Sequence, residues 1–171
     1  YTDNALYTGN KIGQDASIAN IIANQLKTVG NTGFTQPLIN TSDGVGFTIT
    51  PVGPYFTTKF VLQWLPDRDC SGTPISGTES VKPFLLDPAA SQTTLATIIT
   101  TRPANPGPYN NMGVPGAKVT DLFTSGYGSS LGNPYFARFA TNPMTTIMQD
   151  ATAQQPTFFY FWIGNNDVLV S

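Results

Sequence analysis

Apolar residues at Ile18, Ile21, Ile22 and Leu26, with Ala19 and Ala23 between them, follow the i, i+3, i+4, i+8 spacing of an amphipathic helix. The spacing predicts a helix over residues 15–28, with Asp15 or Ser17 as its N-cap and Gly30 in the left-handed position that ends it. The period then changes to two. Phe56, Phe60, Leu62 and Trp64 fall on one face of an extended strand, with Thr57, Lys59 and Gln63 on the other. Residues 46–50 are its expected hairpin partner across 51–54. Ten of the 14 prolines lie between residues 31 and 108, and residues 66–108 read as mostly irregular, with a short helix near 91–99. A segment of this kind is expected to be a functional insertion or a surface elaboration.

After Pro108 an α/β rhythm is expected. A short strand over 109–112 leads to the turn Gly113-Val114-Pro115-Gly116 and a helix over 117–123. Asn142-Pro143 is an N-cap and first-turn pair for a helix with Met144, Ile147, Met148 and Ala151 on one face, closed by Gln154-Gln155-Pro156. Six consecutive apolar residues, 158–163, then read as a strand covered on both faces, as in parallel sheets. Gly164-Asn165-Asn166-Asp167 comes next, at the strand's carboxyl end, where open α/β sheets place their ligands. The expected fold is α/β: one incomplete domain over 1–171, a three-layer, flavodoxin-like parallel sheet with helices on both faces and a Pro-rich insertion at 31–108.

Composition narrows the function. Charged residues make up 11% of the 171 and the net charge is −2. The eight Lys and Arg are scattered singly, so no basic stripe exists to neutralise phosphates, and nucleic acid is not the expected partner. No apolar run approaches the ~20 residues that span a bilayer. The polar surface is supplied mostly by Thr, Ser, Asn and Gln, a composition common in exported proteins, which makes an extracytoplasmic location the expectation. Cys70 is the single cysteine and leaves the redox compartment open. The polar start at Tyr1 and the abrupt end at Ser171 suggest a fragment.

Chemistry concentrates in two glycine-bearing turns, 111–116 and 164–167. Gly116 offers a backbone N–H unobstructed by a side chain, and Asn166 offers an amide donor. Two converging donors suit a tetrahedral oxyanion, and one such donor is worth about 100- to 1000-fold in rate. The plainer reading makes Gly116 a turn glycine and Asn166 and Asp167 parts of an Asx turn. Other candidates carry less. Asp67-Arg68-Asp69 beside Cys70 matches no calcium-loop spacing and reads as a solvated loop. Cys70 as a nucleophile would need a histidine or another group that favours its thiolate, and the chain has no His; a buried or merely tolerated thiol is the plainer reading. Phe56, Phe60 and Trp64 are either core or the wall of an acyl or carbohydrate groove, and Tyr127 and Tyr135 are weaker candidates for substrate contact.

At these residues the chain resembles a family. Gly164-Asn165-Asn166-Asp167 matches the Gly-x-Asn-Asp third block of the SGNH (GDSL-type) serine esterases and lipases. Residues 111–117, with Val119-Thr120-Asp121-Leu122 after them, resemble the second block. Tyr1-Thr2-Asp3-Asn4-Ala5-Leu6-Tyr7, ahead of the helix carrying Asn20-Ile21-Ile22-Ala23-Asn24-Gln25-Leu26, is similar to the stretch just after the first block in a Bacteroidetes-type branch. The resemblance covers residues 1–30 and 108–171. It implies hydrolysis of carboxylic esters without a cofactor, with Gly116 and Asn166 as oxyanion donors and Gly164, Asn165 and Asp167 supporting them. The family's nucleophilic Ser and its Asp-x-x-His are not in the chain, so the resemblance places them outside it and implies that these 171 residues alone are inactive. The rival expectations are a non-catalytic exported binding module, for glycans or a surface, and a purely structural exported domain.

Overall fold

The computed structural model describes residues 14–30, 33–39, 44–104, 107–129 and 132–169; the opening at Tyr1 to Tyr7 lies outside the described residues. Helix α1 runs Ile18–Leu26, and the Ser17 hydroxyl caps it by accepting from Asn20 N–H. Asp15 contributes its carbonyl instead, which accepts from the Asn20 side chain. A 3₁₀ turn, Lys27–Val29, comes after it, and Gly30 closes the turn at φ 102°, a conformation glycine adopts without steric cost.

Strands β1 (Val45–Thr50) and β2 (Gly53–Thr58) form an antiparallel hairpin with Thr50 opposite Gly53, the pairing expected across 51–54. The strand expected to carry Phe56, Phe60, Leu62 and Trp64 on one face is divided at Lys59. Phe56 stays in β2 and is buried, its backbone N–H and C=O both held by the Gln92 side chain. Phe60, Leu62 and Trp64 belong to β3 (Phe60–Arg68), where all three are exposed. Strand β4 (Pro74–Leu85) pairs antiparallel with β3, and a register shift falls between Leu65 and Asp67. Much of the region expected to be irregular is therefore a long two-stranded arm. Pro74, Gly77 and Pro83 obscure β4 in the sequence, yet prolines are tolerated where a strand has a free edge. Helix α2 (Gln92–Thr100) buries Leu95 and Ile99.

Beyond Pro108 two expected elements change. Residues 109–112 form no strand; Asn110 instead exchanges hydrogen bonds with Thr35. The helix expected over 117–123 is reduced to a 3₁₀ turn, Thr120–Phe123. The Lys118 and Val119 N–H groups ahead of it donate to the Asp121 and Asp167 carboxylates. Helix α3 (Pro134–Ala137) is capped by Asn133, and α4 (Ile147–Ala153) by a reciprocal Thr146–Gln149 capping box rather than by Asn142. Asn142 closes only the local turn to Met144, because the Thr146 box satisfies the helix's orphan donors directly. Helix α5 (Asn165–Leu169) begins after Gly164, which has φ 106°.

Two hydrophobic cores meet at α3. Tyr135 joins Val45, Phe56, Leu95 and Ile99, while Phe136 joins Tyr109, Ala117, Leu122, Phe139, Ala140 and Ile147. Val114 packs against both, so the segment that ends in Gly116 is seated on the junction.

Residues 158–163 form neither a paired nor a covered strand in this chain. Phe158 to Trp162 are each 53–75% exposed and the segment joins neither sheet, although Ile163 packs partly against the core. The six-residue apolar run predicts a strand flanked on both sides, and among the described residues no strand lies beside it to supply the flanks. The described sheets are two-stranded and antiparallel, so the three-layer parallel arrangement is not formed by the described residues. Among them, no helix is long and apolar enough to cross a membrane.

Candidate active site

The first turn is Val114-Pro115-Gly116-Ala117. Ala117 N–H returns to the Val114 carbonyl at 3.3 Å, and Gly116 has φ 77°. Proline second and a positive-φ glycine third is the sequence of a type II turn. Ala117 is buried in the core while Gly116 faces solvent, and a methyl added at Gly116 would meet nothing within 4 Å. Among the described residues none accepts from the Gly116 N–H.

The second turn docks on the first, although almost fifty residues separate them. The Asn166 side-chain amide donates to the Ala117 carbonyl at 2.8 Å. The Val119 N–H donates to both oxygens of Asp167, at 3.2 and 3.0 Å. Asp167 N–H bonds to the Gly164 carbonyl, and Asn165 accepts from the Trp162 indole N–H at 3.2 Å. The four residues thus divide the work. Gly164 supplies the bend, Asn165 ties the tetrad to the aromatic segment before it, and Asn166 and Asp167 fasten it to residues 117–119. Asn166 is half-buried, and its amide carries two hydrogens. One is committed to Ala117, which fixes the amide plane and therefore the direction of the other.

The first turn is also held from beneath. Asn133 is buried, and its Nδ2 donates to the Pro115 carbonyl at 2.9 Å and to the Tyr127 hydroxyl at 3.0 Å. Its Oδ1 caps α3 by accepting from Tyr135 N–H. Asn133 was not singled out by the sequence, although Asn133-Pro134 carries the same helix-start signature as Asn142-Pro143. Asn111 lies buried at the entry to this segment, with its Nδ2 on Gln36 Oε1, which also accepts from the Ser17 hydroxyl. Ser17 is therefore a cap and a network donor.

Both candidate tyrosines are structural braces. Tyr135 is buried and its hydroxyl donates to the Val45 carbonyl at 2.8 Å. Burial pushes the Tyr127 hydroxyl up to about 12, against the hydrogen bond from Asn133, and the nearby Asp121 charge adds to the rise. The acidic loop at the arm tip is self-contained. Asp69 accepts from the Ser71 hydroxyl and from Ser71 and Thr73 N–H, led by the Ser71 hydroxyl, and these bonds hold its carboxyl below the usual range. Asp67 pairs with Lys82, Cys70 is exposed and free, and the described residues contain no cluster of three metal-ligating side chains.

Chemically, the open backbone donor of Gly116 lies one residue before Ala117, whose carbonyl accepts from the Asn166 carboxamide. The chain contains no histidine, and the carboxylates at these turns, Asp121 and Asp167, accept from the Lys118 and Val119 N–H groups. Comparison with family models, curated proteins and solved structures found no match to this chain.

Proposed function

We propose that these residues are the oxyanion-stabilising part of a serine ester hydrolase of the SGNH type, in which the nucleophilic serine and the histidine are supplied by residues other than these 171. The observation that carries the reading is the docking of residues 166 and 167 on residues 117–119. It ties Asn166 to Ala117, the residue next to Gly116 in the chain; Gly116 and Asn166 are the pair to which the family resemblance gives the two donor roles. In the proposed reaction the serine oxygen attacks the acyl carbonyl while histidine accepts its proton. The carbonyl electron pair moves onto oxygen, where the Gly116 N–H and the second Asn166 amide hydrogen stabilise it. Collapse expels the alcohol, which takes the proton from histidine, and water then hydrolyses the acyl-enzyme by the same route.

The exposed segment 158–162 supports the same reading. Its unpaired backbone and two exposed faces suit an inner strand of the proposed three-layer sheet, whose flanking strands and helix layers would come from elsewhere. An extracytoplasmic location is proposed with it. The test is turnover of a short-chain p-nitrophenyl ester. The 171 residues alone are expected to show none, whereas the product of the whole reading frame is expected to be active. Turnover by the 171 residues, or a whole product without histidine, contradicts the proposal.

A second reading, an exported binding module, draws on the exposed face of Phe60, Leu62 and Trp64 in β3. It predicts retention of the whole product on an immobilised glycan, lost in Trp64→Ala, with no esterase activity.

A further inference from the structure

We infer that Asn133 is a positioning residue for the Gly116 N–H. The inference rests on the oxyanion reading for its functional meaning, but its structural content stands on separate contacts. The Gly116 N–H and the Pro115 carbonyl belong to one peptide unit, and in a trans peptide these two groups point in opposite directions. The described residues have their cis bond elsewhere, at Gly107-Pro108. Asn133 Nδ2 grips the Pro115 carbonyl at 2.9 Å, so it holds the rear of the plane whose front presents the open donor.

The grip acts in two ways. It fixes the plane's rotation, which a Pro-Gly turn leaves free to flip at the cost of moving only the two flanking dihedrals. It also withdraws electron density through the peptide and so makes the N–H a better donor, as expected when hydrogen bonds run in series. Asn133 is itself immobilised. Its N–H donates to the Tyr127 carbonyl at 2.8 Å, its Oδ1 accepts from Tyr135 N–H at 2.9 Å, and its second amide hydrogen goes to the Tyr127 hydroxyl at 3.0 Å. Every polar atom of the side chain is used. A residue that only capped α3 would need an acceptor oxygen and no amide donors. The amide therefore does something the cap does not require.

That division supplies the experiment. Asn133→Ser and Asn133→Asp both keep an acceptor for Tyr135 N–H and remove the donor to Pro115. In ¹H–¹⁵N spectra of the chain, both are expected to leave most backbone resonances in place while moving the Gly116 amide nitrogen. Inorganic phosphate, a tetrahedral oxyanion, serves as the probe. Its effect on the wild-type Gly116 amide is expected to weaken roughly five- to tenfold in either variant, the size of one lost hydrogen bond. A Gly116 resonance unmoved in Asn133→Ser or Asn133→Asp overturns the positioning role. A wild-type Gly116 amide that ignores phosphate, with the resonance still moved by the variants, instead overturns the oxyanion reading and leaves the positioning contact standing. If one variant fails to fold, the other decides. If both fail, a wild-type Asn133 side-chain amide exchanging at the free-amide rate overturns the contact, and slow exchange supports it.

Discussion

Gly116 and Gly132 differ in what a methyl group would meet. At Gly132 an added Cβ would lie 2.3 Å from the Tyr127 carbonyl oxygen, the atom that accepts from Asn133 N–H. Gly132→Ala must therefore push apart the brace beneath the first turn, and a loss of about 2–3 kcal/mol is expected. At Gly116 there is open space, and the cost of alanine is confined to the positive φ, about 1 kcal/mol. Thermal denaturation of the two variants should rank Gly132→Ala well below Gly116→Ala; the reverse order would contradict the packing described. Phe136, fully buried where α3 meets the core, should cost about 3–5 kcal/mol as Phe136→Ala.

Tyr127 adds a pH dependence. Its hydroxyl is held protonated to about 12 in the fold, against an ordinary value of 10.0. The unfolded chain therefore loses this proton first as pH rises, and linkage then favours unfolding. The contribution is fully present below pH 10 and fades between 10 and about 12. Tyr127→Phe is expected to flatten the fall in denaturation midpoint over that window. An unchanged slope would remove Tyr127 as its source.

At the scale of elements, periodicity and capping explain which parts were legible in the sequence. Helix α1 shows its period over Ile18 to Leu26, and its ends are set by Ser17 and Gly30. Strand β4 was hidden because Pro74, Gly77 and Pro83 interrupt the alternation that marks a strand. The helix expected over 117–123 is a 3₁₀ turn, and its entry is tied by the Val119 N–H to Asp167, 48 residues away, a contact no local pattern announces. The Gly116 and Asn166 turns were legible singly as turns, from their Gly, Pro and Asn residues, although no strand leads directly into either of them. Their contact, and the role of Asn133 in it, depend on tertiary packing.

The aromatic segment 158–162 gives the sharpest test at this scale. The paired variant Phe159→Ser/Phe161→Ser removes side chains that are 75% and 56% exposed, so the isolated chain should keep its stability to within about 0.5 kcal/mol. In a longer product, flanking strands of the proposed sheet would bury both rings, and the same variant should then cost several kcal/mol, on the order of 3–5 for each buried Phe truncated. Equal effects in the two settings would show that no flanking strands cover the segment.

For the whole molecule, two exposed apolar surfaces, β3 of the arm and residues 158–162, occur in a chain of 11% charged residues. Unpaired strand edges and apolar patches promote association. The isolated chain should therefore self-associate with rising concentration in sedimentation velocity, and Leu62→Thr/Trp64→Ser should reduce it without lowering the thermal midpoint. The α/β class expected from the sequence depends on the parallel strands the proposal assigns to residues other than these.

The central claim is that Asn166 stabilises charge in a transition state. Its most direct test is the steady-state hydrolysis of a short-chain p-nitrophenyl ester by the product of the whole reading frame and by its Asn166→Ala variant. The account predicts a fall in kcat of about 100- to 1000-fold with KM little changed, the loss expected for one oxyanion donor. A variant that keeps the wild-type kcat would contradict it.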